Sequence, residues 1–287
     1  MKTYLDCMAC FVVQSLRTAR MLTKDEKIQE KVLRKIMKAS ADFDMHTPPP
    51  VMSQQIYRIV QDAVGVPDPY LDAKKRFNEF ALNRMPELQA TVRRSDNPWQ
   101  TAIQLAIAGN IIDFGIRGDI DESQVDICLK EAMTADLGTS TVQQFADETK
   151  TAKSILYLTD NAGEIVFDQL LLNLLPMDRV TVAVKGKPII NDATLLDAEA
   201  TGLTKMVKVI DNGDNAPGTV LSQCNETFRK AFDQADMIIA KGQGNYETLS
   251  ENSRPIWFLL KVKCQVIAKH LGLPMGSLVL KKSSKNL

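Results

Sequence analysis

Histidine is scarce in this 287-residue chain, with only His46 and His270, far apart in sequence. No strong histidine candidate for moving a proton stands out. Charge of one sign is also lacking. Lys plus Arg and Asp plus Glu number 35 each, split as 19 basic and 21 acidic in 1–150 and 16 and 14 in 151–287. No global field therefore draws the chain to nucleic acid or to an anionic membrane. No apolar run approaches the roughly 20 residues a membrane span needs. The opening "MKTYLDCMACFVVQS" has Asp6 inside its short apolar stretch and no clear cleavage site, which makes it a poor signal peptide. The five cysteines, an odd number in a long chain, argue against a disulfide framework and for a reducing cytoplasm. No repeat of fixed period is visible. What is left is the profile of a soluble globular protein, 45% hydrophobic and 24% charged, longer than one typical domain and shorter than three.

Residues 1–150 read as almost wholly helical. "TKDEKIQEKVLRKIMKAS" opens with Thr23 and Glu26 as a capping box and carries Ile28, Val32, Leu33 and Ile36 on one stripe. "SQQIYRIVQDAVG" offers Ser53 as a cap and Gly65 as a stop. "DESQVDICLKEAM" and "STVQQFADETKTA" read the same way, and Pro48, Pro49 and Pro50 break the chain between two helices. After about residue 150 the pattern changes. Short β-prone runs at 154–158, 179–184, 206–210, 236–240 and 256–260 alternate with helical ones, the last helix running from about Cys264 to Leu271. This alternation predicts an α/β fold: a Rossmann-like, mostly parallel sheet in a three-layer sandwich, residues 151–287, with an all-helical part over 1–150 packed on it.

In such sheets ligands bind beyond the carboxyl ends of the strands. The loops expected there are "TDNAGE", "KGKPIIND", "DNGDNAPGT", "KGQGN" and "KVKC". In the first, Asp160, Asn161 and Glu164 stand where an apolar strand stops and a helix begins. Asp and Asn are favoured helix caps, so capping is one reading; oxygen ligands for a metal ion are the other. Five separate caps would not need Lys185, Lys187, Lys241, Lys261 and Lys263 in the same loops. Hard oxygen donors mixed with lysines suit a divalent cation beside a phosphate.

"LTDNAGE", "GKPIINDAT" and "AKGQGNYETL" resemble the signature motifs of the damage-control phosphatase family, which includes the eukaryotic acidic-residue methyltransferase-like proteins. The Cys-x-x-Cys at 7–10 and "GNIIDFG" at 109–115 resemble its prokaryotic branch, and the resemblance spans essentially the whole chain. It implies a metal-dependent phosphatase acting on small phosphometabolites, sugar phosphates or damaged phosphate esters. The implied metal ligands are Asp160, Asn161 and Asp192. Two carboxylates and an amide oxygen suit one Mg²⁺ or Mn²⁺; the family's tolerance adds Co²⁺ and Ni²⁺. Lys241 opens a segment resembling the family's phosphate-side loop, where its ammonium would neutralise charge on phosphoryl oxygens. Gly242 and Gly244 would let backbone N–H groups approach the anion, and Asn245 would shape the loop. Lys263 matches the last lysine of the Arg-Thr-x-Lys motif of eukaryotic relatives, but Leu260 and Lys261 replace its Arg and Thr. The other reading of Lys263 is a solvated charge at a helix start.

Asn110 and Asp113 interrupt the apolar run "WQTAIQLAIAGNIIDF" at i, i+3 spacing, on one helix face. The resemblance implies that they point from the helical part into the metal site; the other reading is an exposed stripe or a local kink. Cys7 and Cys10 read as buried structural thiols; a supplementary metal site shared between subunits is the lesser reading, since structural zinc wants four ligands. Asp160 or a metal-activated water is the attacking group in the phosphatase reading, and Glu164 or a metal-bound water the acid. The rival is an S-adenosylmethionine-dependent carboxyl methyltransferase. It would want a glycine-rich loop after the first strand and an acidic residue ending the second; the first loop has one glycine and Lys185 ends the second strand. The remaining rival is a non-catalytic metal or nucleotide sensor. The expected partner is a small phosphorylated metabolite, with no nucleic acid or membrane; oligomeric state stays open, a homo-oligomer included.

Overall fold

The structure, a computed structural model, describes residues 1–110 and 122–283. Among the described residues seven helices come first: α1 (Leu5–Leu22), α2 (Glu26–Ala41), α3 (Pro49–Val64), α4 (Leu71–Arg94), α5 (Pro98–Ala108), α6 (Glu122–Met133) and α7 (Thr139–Thr151). Then follow β1 (Ile155–Leu158), α8 (Glu164–Leu172), β2 (Val180–Val184), α9 (Leu195–Ala200), α10 (Leu203–Met206), β3 (Lys208–Asp211), α11 (Glu226–Gln234), β4 (Met237–Lys241), α12 (Gly242–Leu249), β5 (Ile256–Lys261), α13 (Gln265–Leu271) and β6 (Leu278–Lys282). The six strands form one sheet in the order β3-β2-β1-β4-β5-β6. The first five are parallel, and β6 runs antiparallel to β5. The expected α/β fold is therefore present, and its strand order is the Rossmann order, with the topological switch between β1 and β4.

Burial along the strands explains why they read as continuous apolar runs. Successive side chains point to opposite faces, and both faces are covered. Ile155 and Tyr157 of β1, Met237 and Ile239 of β4, and Trp257 and Leu259 of β5 enter one core, shared with α4, α5 and α8. Leu156 and Leu158, Ile238 and Ala240, and Ile256, Phe258 and Leu260 enter the other, shared with α11, α12 and α13. The first core unites residues from both halves of the chain, from Ala73 to Leu280. Full burial of a large apolar side chain contributes about 1.5–3 kcal/mol, so this shared core binds the helical half firmly to the sheet. A smaller core of Phe11, Ala19, Val32, Ile36, Met52, Ile56 and Val60 holds α1, α2 and α3 together.

Several local expectations change. α2 is capped by Asp25, whose carboxylate accepts from Lys27 N, and Thr23 instead closes α1. Ser53 lies inside α3, because Pro49 and Pro50 already open that helix; proline suits the first turn, where no N–H is needed. Gly65 does stop α3, in the left-handed conformation at φ 75°. β6 was not expected: two of its five residues are lysines, and an edge strand needs no apolar run on both faces.

Candidate active site

The turn after β1 has a defined geometry. Thr159 extends the pairing with β2 through its N–H and hydroxyl, both donating to Ala183 O, at 3.1 and 3.0 Å. Gly163, at φ 75°, is the N-cap of α8, and no side chain of the turn caps that helix. Its N–H is taken at 2.7 Å by Asn78 Oδ1 from α4. A Cβ there would lie 3.0 Å from Phe77. Asp160 and Asn161 are thus not helix caps. Asp192 is not one either, since the capping box of α9 is built from Thr194 and Asp197.

These side chains meet instead. Asn161 and Asp192 form a backbone bridge, and Ala193 N donates to Asp160 O at 2.9 Å. The loops after β1 and β2 are therefore stitched together at the sheet's switch point. Asp160, Asn161 and Asp192 all line one cavity of about 400 Å³, with Lys263 from the loop after β5. Asn110 follows α5 and is 5% exposed. Its amide donates to Asp160 Oδ2 at 2.6 Å and Glu164 Oε2 at 2.7 Å. The Asn161 amide donates to the same two oxygens at 2.9 and 3.0 Å. Asp113 lies outside the described residues.

Lys241 corrects an expectation. It is 0% exposed and absent from the cavity wall. Its ammonium donates to Ala106 O at 2.8 Å, Glu164 Oε1 at 2.7 Å and Asp168 Oδ1 at 2.5 Å. All three protons are used beneath the site, so it holds Glu164 in place and does not face an incoming phosphate. Burial pulls its pKa down, but Asp168 and Glu164 more than reverse this and raise it above its ordinary value. Burial raises the Asp168 carboxyl to about 6 despite Lys241, with Glu164 adding to the rise. Glu164, 1% exposed, is held by Asn110, Asn161 and Lys241 and does not line the cavity, so the expectation that it donates a proton there fails too. Of the five loop lysines, Lys263 lines the cavity. Lys185 is buried on Gly218 O and lies 3.6 Å from Asp192 Oδ2.

Glycine is required where β4 turns into α12. Gly242 sits at φ 82°, and a Cβ there would come within 2.1 Å of Asp160 Oδ2. Gly244 packs on Pro217 O, and Gly218 packs on Gly244 O. Asn245 ties the strand ends together, donating to Lys241 O at 2.7 Å and Thr159 O at 3.2 Å.

Burial, with Glu164 and Asp192 nearby, pushes the Asp160 carboxyl well above its ordinary 3.8, while Lys263 and Lys241 pull it down. Crowded carboxylates of this kind favour a bound cation. Asp160, Asn161 and Asp192 supply hard oxygen donors of the type that Mg²⁺ or Mn²⁺ takes, so the residues present fit such an ion. Among the described residues no group of three or more His, Cys, Asp or Glu is placed to hold a metal; the fit rests on the amide joining two carboxylates.

The sequence reading missed the opposite wall. Gln14, Arg17 and Thr18 from α1, Pro50 and Ser53 from α3, and Tyr70 complete the cavity. In sequence Gln14, Arg17 and Thr18 look like the solvated face of a helix. Gln54 of α3 anchors this wall, donating to Asp214 Oδ1 at 2.8 Å and Asn215 Oδ1 at 2.7 Å. Cys7 and Cys10 are free thiols, half-buried and exposed respectively.

Fold and site together define an α/β protein that gathers carboxylates and carboxamides at a Rossmann switch point under a helical wall. The chain belongs to the family of the damage-control phosphatase ARMT1-like domain, whose family model matches residues 3–279. It is 34% identical over 281 residues to a damage-control phosphatase of Archaeoglobus fulgidus, covering 96% of this chain and 97% of that one. It is 36% identical over 286 residues to damage-control phosphatase PH1575 of Pyrococcus horikoshii, covering 97% of both. The crystal structure of a DUF89 family protein from P. horikoshii superposes with a TM-score of 0.86 at 33% identity, over 99% of this chain and 100% of that one. No helix among the described residues is long and apolar enough to cross a membrane.

Proposed function

We propose that this chain is a divalent-metal-dependent phosphatase that hydrolyses small phosphorylated metabolites, sugar phosphates or damaged phosphate esters. The observation that carries the reading is the meeting of Asp160, Asn161 and Asp192, from two loops, on one cavity wall where none of them caps a helix. The names of the relatives support the same activity. These three residues would hold the cation, which supplies Lewis-acid stabilisation of phosphoryl oxygens when bound. The protein's own groups do the rest. The amides of Asn110 and Asn161 fix the Asp160 carboxylate from one side. Asp160 is then oriented either to attack phosphorus or to direct a water at it. Lys263 and Arg17 bring positive charge to the cavity for a phosphoryl dianion. A volume of about 400 Å³ suits a small ligand, and Gln14, Thr18, Ser53 and Gln243 offer hydroxyl and amide groups to a polyhydroxylated one.

The test is phosphate release from a panel of phosphate esters with Mg²⁺, Mn²⁺, Co²⁺ and Ni²⁺ supplied separately. Metal-dependent turnover is expected, with a loss of about 100-fold or more in Asp160→Ala and Asp192→Ala. No turnover with any metal, or full activity in Asp160→Ala, would refute the reading. The methyltransferase alternative gains nothing from the geometry: β2 ends at Val184, and the next residue, Lys185, buries its ammonium on Gly218 O where a ribose-binding carboxylate would be needed.

A further inference from the structure

When a phosphate ester is cleaved, the departing oxygen needs a proton unless it is already a stable anion. Asp160 and Asp192 are assigned to the cation, and Glu164 and Asp168 lie beneath the site on Lys241. Neither histidine lines the cavity: His270 Nδ1 pairs with the Tyr246 hydroxyl at 2.8 Å, and His46 is exposed in a turn after α2. One more carboxyl group stands on the cavity wall among the described residues, that of Glu247.

Glu247 is on α12, the helix that leaves the end of β4 at the switch point. Gln243, Gly244 and Glu247 all line the cavity. Their i, i+1, i+4 spacing means that one face of α12 looks into it. Glu247 Oε1 accepts from Gln243 Nε2 at 2.9 Å, which fixes the carboxyl on that face. Building on the phosphatase reading, we propose that Glu247 is the general acid that protonates the leaving oxygen of the substrate. The phosphorus–oxygen bond breaks with its electron pair going to the leaving oxygen, and the Glu247 proton goes to that oxygen to release an alcohol. A water ends as the hydroxyl of the phosphate and returns its other proton to the Glu247 carboxylate. Ester plus water thus gives alcohol plus phosphate.

The surroundings hold that proton to a higher pH than a carboxyl usually keeps it. Burial raises the Glu247 carboxyl from 4.5 to about 7, against the Gln243 bond and the Met1 ammonium, which lower it. That ammonium donates to Glu247 O at 2.8 Å and lies 3.5 Å from Glu251. Cys7 and Cys10 of α1 lie nearby: burial raises both thiols, with Glu247 adding to the rise of Cys7, and Cys264 and then Glu247 to that of Cys10; Cys264, at the start of α13, accepts from Gln243 Nε2 at 3.6 Å. Arg17 and Lys263 are the cations on the cavity wall, and α3 adds Pro50 and Ser53 there. From β4 comes Lys241, turned toward Glu164 and Asp168. β5 ends at Lys261, which is half-buried.

The test compares two substrates in the metal-loaded protein, an alkyl phosphate and p-nitrophenyl phosphate, with the wild type and Glu247→Gln. A nitrophenolate leaves without a proton and an alkoxide does not. Glu247→Gln is expected to lose about 100-fold or more in kcat on the alkyl ester and to stay within about threefold on the aryl ester. The wild-type alkyl rate should fall above about pH 7, with no such limb in the variant. Equal losses on both esters would show a structural role and overturn the assignment, as would an unchanged alkyl rate. The alkyl ester is the one the wild type turns over fastest in the panel above; a wild type that cleaves no ester of that panel with any of the four metals would refute the phosphatase reading itself, and this assignment with it. Retained aryl turnover in the variant shows that it is folded.

Discussion

Lys241 shows how a residue can be correctly noticed and wrongly oriented. Its place at the end of β4 was legible from the pattern, but which way its ammonium points depends on Glu164 and Asp168, two turns of α8 that arrive from elsewhere. Sequence spacing does not carry that information. Asp160 and Asn161 were easier, because short polar loops after apolar strands must converge on one sheet edge; Asp192 was picked out of its loop by the family resemblance of "GKPIINDAT". Arg17 was hidden, since a helix facing solvent and a helix facing a cavity use the same polar residues. The buried lysine makes a firm prediction. Lys241→Met leaves two buried carboxylates without a counter-ion and should cost about 3–5 kcal/mol in urea unfolding at neutral pH. The deficit should shrink as pH falls. Folded Asp168, already raised to about 6 from 3.8, takes up its proton before the unfolded chain does, and losing the cation raises it further. A deficit equal at pH 5 and pH 8 would refute this account.

At the scale of elements, β1, β2, β4 and β5 were readable because each is a short, mostly apolar run buried on both faces, while β3, at the sheet's edge, is partly exposed and was read from its short β-prone run alone. Helix beginnings were less readable. Asp25 and Thr23 are both good caps two residues apart, and the choice is made by the packing of α1 on α2. The α1–α3 unit has a core of its own and also carries the outer wall of the cavity. Truncating its centre, in Ile36→Ala, should cost about 2–4 kcal/mol. Hydrogen exchange should speed up first in α1, α2 and α3 while the sheet stays protected. Uniform loss of protection across both would show that the unit has no separate stability.

For the whole molecule, the apposition of Asp160, Asp192 and Glu164 means that the folded chain without a cation carries repulsion that the unfolded chain does not. Saturating Mn²⁺ should therefore raise the melting temperature, by an amount that grows with metal concentration. Asp160→Ala and Asp192→Ala should each abolish that gain, whatever their activity. An equal gain in both variants would place the ion elsewhere.

The loops on the sheet side press backbone against backbone: Gly186 against Gly213, Gly218 against Gly244, Gly244 against Pro217. Such interlocking leaves no room for insertions or for larger residues at those positions. Helices α1 and α3 are under no such constraint. Descendants of this protein that acquire new substrates should therefore differ along those two helices while inheriting an unaltered floor, so a library aimed at changing selectivity belongs at positions such as Gln14, Thr18 and Ser53.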